Sequence, residues 1–101
     1  MKTRPSWYLY MVRCRDGSLY TGITTDVVRR FAEHQGNAGA KYLRGREPLQ
    51  LALQKKVGSR SLAMGVESRV KKLPKANKEE LLRVNARLGE IVRRVRSLPT
   101  V

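Results

Sequence analysis

Tyr10, Tyr20, Arg30, His34 and Glu67 are the side chains whose types and order invite a chemical reading. A phenol ionises near pH 10, so at pH 7 only about one in a thousand is phenolate. A cation or guanidinium nearby favours the charged form, and Tyr10 or Tyr20 could then take a proton from water. An arginine fork holds two phosphate oxygens and stays charged, which suits Arg30. Glu67 offers one carboxylate, enough for a single Mg²⁺ that keeps several waters and completes its shell on substrate oxygens. His34, one helical turn after Arg30, could position a nucleophile or contact phosphate. Each residue also has a plain structural reading. A strand tyrosine packs, Asp26 and Arg30 form an i, i+4 pair, Glu67 pairs with Lys71 in the same way, and His34 complements a helix dipole.

Other chemistries are excluded by inventory. One histidine and one cysteine leave no His/Cys zinc cluster and no internal disulfide. Cys14 reads as a small strand residue. Eight scattered carboxylates give no two-metal cluster. Glu79 and Glu80 read as helix-dipole partners, and Glu33, Glu47 and Glu90 as surface charges. No glycine-rich phosphate loop is present.

The elements that would position these residues follow from the pattern. Trp7 to Cys14 and Ser18 to Thr24 read as strands joined at Arg15-Asp16-Gly17. A three-residue loop with Gly17 in the left-handed position pairs Cys14 with Ser18, Val12 with Tyr20 and Tyr10 with Gly22. That register puts Leu9, Met11, Leu19, Thr21 and Ile23 on one apolar face. Tyr8, Tyr10, Ser18, Tyr20 and Gly22 share the other. A helix follows, capped by Thr25 or Asp26. Val28, Phe31 and Ala32 form its expected buried stripe, with Val27 at the edge, and Gly36, Asn37 and Gly39 stop it. Residues 36–48 read as a loop in which Lys41, Arg44 and Arg46 cluster beside Tyr42. Leu49 to Val57 is a third strand. Ser59 or Ser61 opens a second helix to about Leu73, ended by Pro74. Asn77 or Lys78 opens a last helix to about residue 96, seamed by Leu81, Val84, Leu88, Ile91 and Val95 and rich in arginine elsewhere. The expected order is ββαβαα, an α+β (α/β) arrangement with a three-stranded sheet flanked by helices, as one domain over residues 1–101.

The motifs resemble those of the GIY-YIG nuclease family, most closely its small standalone bacterial members. Tyr8-Leu9-Tyr10 stands where the family has Gly-Ile-Tyr, and Tyr20-Thr21-Gly22 where it has Tyr-Ile-Gly. Val28-Arg29-Arg30-Phe31 with His34 is similar to the helix carrying the family's catalytic arginine. Ser61 to Glu67, followed by Val70-Lys71-Lys72, is similar to the segment carrying its metal-binding glutamate. The resemblance covers about residues 6–85. It implies catalytic roles for Tyr10, Tyr20, Arg30, His34 and Glu67, Gly22 as the motif glycine, and Glu67 as ligand to Mg²⁺ or Mn²⁺. Two departures stand out. Ile23 occupies the place where some relatives carry a lysine that helps activate a tyrosine. Asn77 is the nearest candidate for an asparagine that relatives use beyond the glutamate.

Charge supplies the partner. Twenty-two basic against eight acidic residues give a net charge of +14, a field that attracts polyanions. Lys41, Arg44, Arg46, Lys71 and Lys72, with the arginines of the last helix, are the expected contacts to a nucleic-acid backbone. DNA is the favoured target, cut in a structure-dependent or weakly specific way, because no element is evident that would read base edges. The alternative is a weakly active or inactive module binding structured RNA or the ribosome. No apolar run approaches the roughly 20 residues of a membrane span. Trp7 to Val12, after a basic start, is too short and too aromatic for a signal peptide. The expected setting is the reduced cytoplasm, without membrane association, as a monomer or weak homodimer.

Overall fold

The computed structural model describes residues 4–36 and 38–99. Met1 to Thr3 and the helix-stopping role read for Asn37 lie outside the described residues.

The hairpin fixes the geometry of everything after it. β1 (Trp7–Arg13) and β2 (Leu19–Thr24) are antiparallel, and Tyr10 faces Gly22 while Val12 faces Tyr20. Gly17 closes the turn at φ 86°, a conformation that glycine adopts without steric cost. Its N–H bonds to the Cys14 carbonyl, and Cys14 N–H to the Ser18 carbonyl, both at 2.9 Å. This is the register expected from the three-residue loop. β3 (Gln50–Gly58) pairs antiparallel with β1, so the sheet order is β2-β1-β3.

Each sheet face buries its own cluster. Leu9 and Met11 pack with Val57 and with Ala63, Val66, Val70, Leu81, Leu88 and Val92 from the helices that follow β3. Tyr10, Val12 and Cys14 pack on the other face with Val27, Leu43 and Leu49. Each buried aliphatic side chain contributes about 1.5–3 kcal/mol, so both layers are needed in a chain of this size.

α1 (Val27–Gln35) is capped by Asp26, whose carboxylate accepts the Arg29 N–H at 3.1 Å. Its buried face differs from the expected stripe. Val27 and His34 are buried, whereas Val28 is 79% exposed and Ala32 is exposed. The helix turns a polar residue inward because that residue has a partner on β1. After α1 a single 3-10 turn, Lys41–Leu43, plants Leu43 in the second cluster.

α2 (Arg60–Lys71) is capped by Ser59, whose hydroxyl accepts the Leu62 N–H at 3.2 Å. The expected last helix is two helices, α3 (Lys75–Arg83) and α4 (Asn85–Arg96), so four α-helices flank the sheet rather than three. The break is Val84, extended at φ −124° and 42% exposed. An unbroken 20-residue helix would run about 30 Å and overshoot a small core. The break lets Leu88 and Val92 fold back onto the cluster already holding Leu81. α4 crosses α2 closely at Gly65, where a Cβ would lie 2.7 Å from Val95 Cγ1. Asn77 caps nothing: Pro74 precedes α3, and Asn77 is exposed in its first turn. Glu79 is tied to β1, accepting from Arg13 Nη2 at 2.7 Å.

Candidate active site

The pairing of Tyr10 with Gly22 is the first element of the site. A Cβ at residue 22 would lie 2.5 Å from Tyr10 Oη and 2.7 Å from its Cζ. Only glycine lets the phenol lie across β2. Tyr20, two residues before Gly22, emerges on the same face, and the two tyrosine rings are 6.4 Å apart.

α1 closes over this face. Its His34 is 1% exposed, and Nε2 lies 2.8 Å from Tyr10 Oη. The other ring nitrogen, Nδ1, accepts the Ala40 N–H at 3.1 Å. An amide can only donate, so Nδ1 carries the lone pair and the proton of the neutral ring sits on Nε2. Burial, then the positive charge of Arg30, hold His34 below its ordinary pKa, against a smaller opposing pull from Glu33. The neutral ring therefore donates to Tyr10 Oη. Gly39 makes the close approach of the 38–40 loop possible, since a Cβ there would collide with His34 Nδ1.

Tyr10 is 1% exposed and its phenol is pushed up to about 12. Burial is the main cause and the neighbouring Tyr20 charge the second, with Glu67 adding a little. Arg30, close to the hydroxyl, pulls the other way. At pH 7 a phenol with that pKa is ionised in about one molecule in 100,000. Tyr10 thus keeps its proton, accepts from His34, and has its own O–H free to donate.

Tyr20 is half-buried and is the more accessible phenol. It meets His34 edge-on at 5.5 Å and stacks on Tyr42 at 5.9 Å, 25° between planes. It lines an open hollow of about 300 Å³ with Leu19, Thr21, Tyr42, Lys71 and Lys78. Arg30 is 36% exposed at its side chain and pairs with Glu33 at 3.1 Å, not with Asp26. Glu67 reaches the site from α2, near enough for its charge to act on Tyr10. It is 22% exposed at its side chain and pairs with Lys71 at 3.4 Å.

The expected residues are thus partly gathered and partly dispersed. Tyr10, Tyr20, Gly22, Arg30, His34, Glu67 and Lys71 share one region. His34 is spent on Tyr10 and Ala40 and is too buried to contact a phosphate directly. Arg46 is committed elsewhere: it pairs with Asp16 at 2.8 Å, donates to the Tyr42 carbonyl at 2.8 Å, and lies 4.2 Å over the Tyr42 ring. Arg44 lines a hollow with Arg15, Asp16 and Arg46 near the hairpin turn. Lys41 is exposed beside Tyr42. Lys72 and two arginines of α4 line a separate groove between α2 and α4. Cys14 is buried packing, 3% exposed. Glu47, read as a surface charge, has Oε1 buried without a hydrogen-bond partner among the described residues.

Sequence reasoning missed Lys78, Gly39 and Ala40 as parts of the site. Tyr42 had a signal, an aromatic ring inside a basic cluster. Lys78 had none, because α3 reaches Tyr20 only through the tertiary fold. Among the described residues no three His, Cys, Asp or Glu side chains converge on one point. Glu67 alone fits a hard, mostly hydrated cation and does not fit a structural or soft-metal site.

The model of the GIY-YIG catalytic domain matches residues 6–80. The UPF0213 protein YhbQ of Escherichia coli O8 is 52% identical over 86 residues, covering 85% of this chain and 86% of that protein. A UPF0213 protein of Citrobacter koseri is 55% identical over 76 residues, 75% of this chain and 76% of the other. Two solution NMR structures share the fold. A UPF0213 protein from Bacillus halodurans superposes with a TM-score of 0.52 at 45% identity, covering 77% of this chain and 83% of that one. A protein from E. faecalis superposes with a TM-score of 0.57 at 39% identity, covering 82% and 88%. A three-stranded antiparallel sheet that sets two tyrosines, a glycine and a helix-borne arginine on one face, matched over residues 6–80, places this chain in the GIY-YIG family.

Proposed function

We propose that this protein is a divalent-metal-dependent endonuclease that hydrolyses phosphodiester bonds of DNA. The observation that carries the reading is the pair of phenols on one sheet face, one buried and protonated, the other open beside two lysines. Their environments separate the roles of two chemically identical groups.

Tyr20 is the general base. Lys71 and Lys78 border its hollow. They supply the positive charge that Ile23 does not. A water attacking phosphorus gives its proton to Tyr20 as the bond to the leaving oxygen breaks. Tyr10, held by the Nε2–H of His34 and as buried as that ring, packs beneath Tyr20 and fixes where the open phenol stands. His34 is a positioning residue. Arg30 bears on the phosphoryl oxygens, where a fixed guanidinium stabilises the charge that develops. Glu67 would hold the Mg²⁺ or Mn²⁺, which when bound neutralises phosphate charge and assists the leaving oxygen. Lys41 and Arg44 contact the backbone beyond the cut. Phosphate contacts carry no sequence information, so cleavage follows nucleic-acid structure or is weakly specific.

A second reading, binding without turnover, is supported by the Glu67–Lys71 pair, which occupies the carboxylate that would hold the metal. Nicking of plasmid DNA decides between them. Arg30→Ala and Glu67→Ala should each abolish metal-dependent nicking and leave binding largely intact. Unchanged cleavage in both rejects the proposed site, and no cleavage by the unaltered protein favours the binding module.

A further inference from the structure

We propose that the groove between α2 and α4 is a second nucleic-acid-binding surface, which holds a separate duplex while the first lies at Tyr20. One molecule would then bridge two duplexes. The inference rests on the reading that the Tyr20 side binds nucleic acid, and it adds a second, independent contact.

The groove has a volume of about 630 Å³. Arg69 and Lys72 border it from the end of α2, and Arg93 and Arg94 from α4, with Glu90 the one acid among them. Leu73 and Ile91 form its floor. All four cations are exposed. Among the described residues none of the four makes an ion pair, whereas Arg30, Arg46 and Lys71 on the cleavage side are each paired with a carboxylate. Behind α2 there is thus a second set of cations left for a partner, beside Lys41, Arg44 and Lys78 on the cleavage side.

The phase of the helix sets the direction. At about 100° per residue, Lys71 lies about 40° round α2 from Glu67, while Arg69 and Lys72 lie about 200° and 140° round. The groove thus opens on the far side of α2 from the carboxylate, and it shares no residue with the hollow at Tyr20. A helix about 10–12 Å across stands between them, so one strand at the cleavage site does not fill both.

The occupant is argued from charge. Four like charges with a single acid among them cost stability, and the packing of α4 on the core is already supplied by Leu88 and Val92. The cations are too exposed and too spread over two helices to enclose a small anion. A nucleic-acid backbone, with a charge about every 1.7 Å along a duplex, matches that spread. The simpler alternative is that arginine stems merely cover Leu73 and Ile91. Glutamine keeps part of the stem and removes the charge, so Arg93→Gln/Arg94→Gln separates the two.

The test immobilises one short DNA duplex and measures capture of a second, fluorescent duplex by the protein in chelator. Nicking of a single duplex with Mg²⁺ is measured separately. At about 0.15 M salt, removing two cations that each neutralise a phosphate weakens binding by roughly 30-fold, because fewer counterions are released. The unaltered protein should capture the second duplex. Arg93→Gln/Arg94→Gln should lower capture at least about tenfold, with nicking changed less than about twofold. The proposal is overturned if the unaltered protein captures nothing, or if the variant captures equally, since bridging then comes from self-association. It is also overturned if an immobilised poly-glutamate peptide is held by this groove while a second duplex is not. Capture without nicking refutes the cleavage reading and leaves this one standing.

Discussion

Replacing Gly22 by alanine tests the packing on which the site depends. The new methyl carbon would lie 2.5 Å from Tyr10 Oη, 2.7 Å from Cζ and 3.0 Å from Cε1. The ring it strikes is 1% exposed and cannot swing into solvent. Forcing a group into a filled core costs about 1–3 kcal/mol. A displaced phenol also loses its bond to His34 Nε2, which orphans a buried N–H at about 1–3 kcal/mol. The reduced freedom of the unfolded chain returns about 0.4–1 kcal/mol. The net expectation is about 1–5 kcal/mol of destabilisation. Tyr10→Phe alone orphans the same N–H and should cost about 1–3 kcal/mol. In the double variant the shortest overlap is gone and the hydrogen bond can be lost only once. Its cost should fall at least about 1 kcal/mol short of the sum of the two single changes. Urea unfolding followed by circular dichroism gives all three values. A Gly22→Ala protein as stable as the parent, or strict additivity of the pair, would refute the claim that Gly22 exists to seat Tyr10.

Tyr20→Phe should separate chemistry from folding: thermal unfolding within about 0.5 kcal/mol of the parent, and nicking slowed by 10²–10⁴, roughly the worth of a general base. A stable variant with full activity would move the base elsewhere. His34 gives a pH signature. Its folded pKa lies below the unfolded value of about 6.5, so its contribution is complete above that pH and is lost as pH falls toward the folded value, because the unfolded chain takes the proton first. Stability should decline from pH 7.5 to 5.5, and His34→Gln should flatten that decline. The carboxylates of Glu33 and Glu79, held below their usual range chiefly by hydrogen bonds from Arg30 and Arg13, lose their contributions only at lower pH. An equal slope in both proteins would assign the effect to another group.

The hairpin is legible in the sequence because its determinants are local. Asp16-Gly17 allows few turns, the alternation on both strands chooses between them, and the register places both tyrosines on one face. The Asp26 and Ser59 caps are legible for the same reason. The inward face of α1 is not. Its apolar pattern favours Val28, but the helix is oriented by a bond from His34 to a residue 24 positions earlier, which no local hydrophobic pattern contains. The break at Val84 is hidden by a continuous apolar seam and is imposed by the return of α4 onto α2 at Gly65. Lys71 and Lys72 look equivalent as neighbours in sequence, yet helical phase sends one toward Tyr20 and the other into the α2–α4 groove. Arg46 looks like a free phosphate ligand, but Asp16 and Tyr42 hold it.

The most direct measurement is nicking of supercoiled DNA across a metal series by the unaltered protein, Tyr20→Phe and Glu67→Gln, with folding of each checked by circular dichroism. The account predicts nicking with Mg²⁺ or Mn²⁺, none in chelator, and a loss of at least about 100-fold in each variant. Cleavage that persists in chelator, or that both folded variants retain, would contradict it.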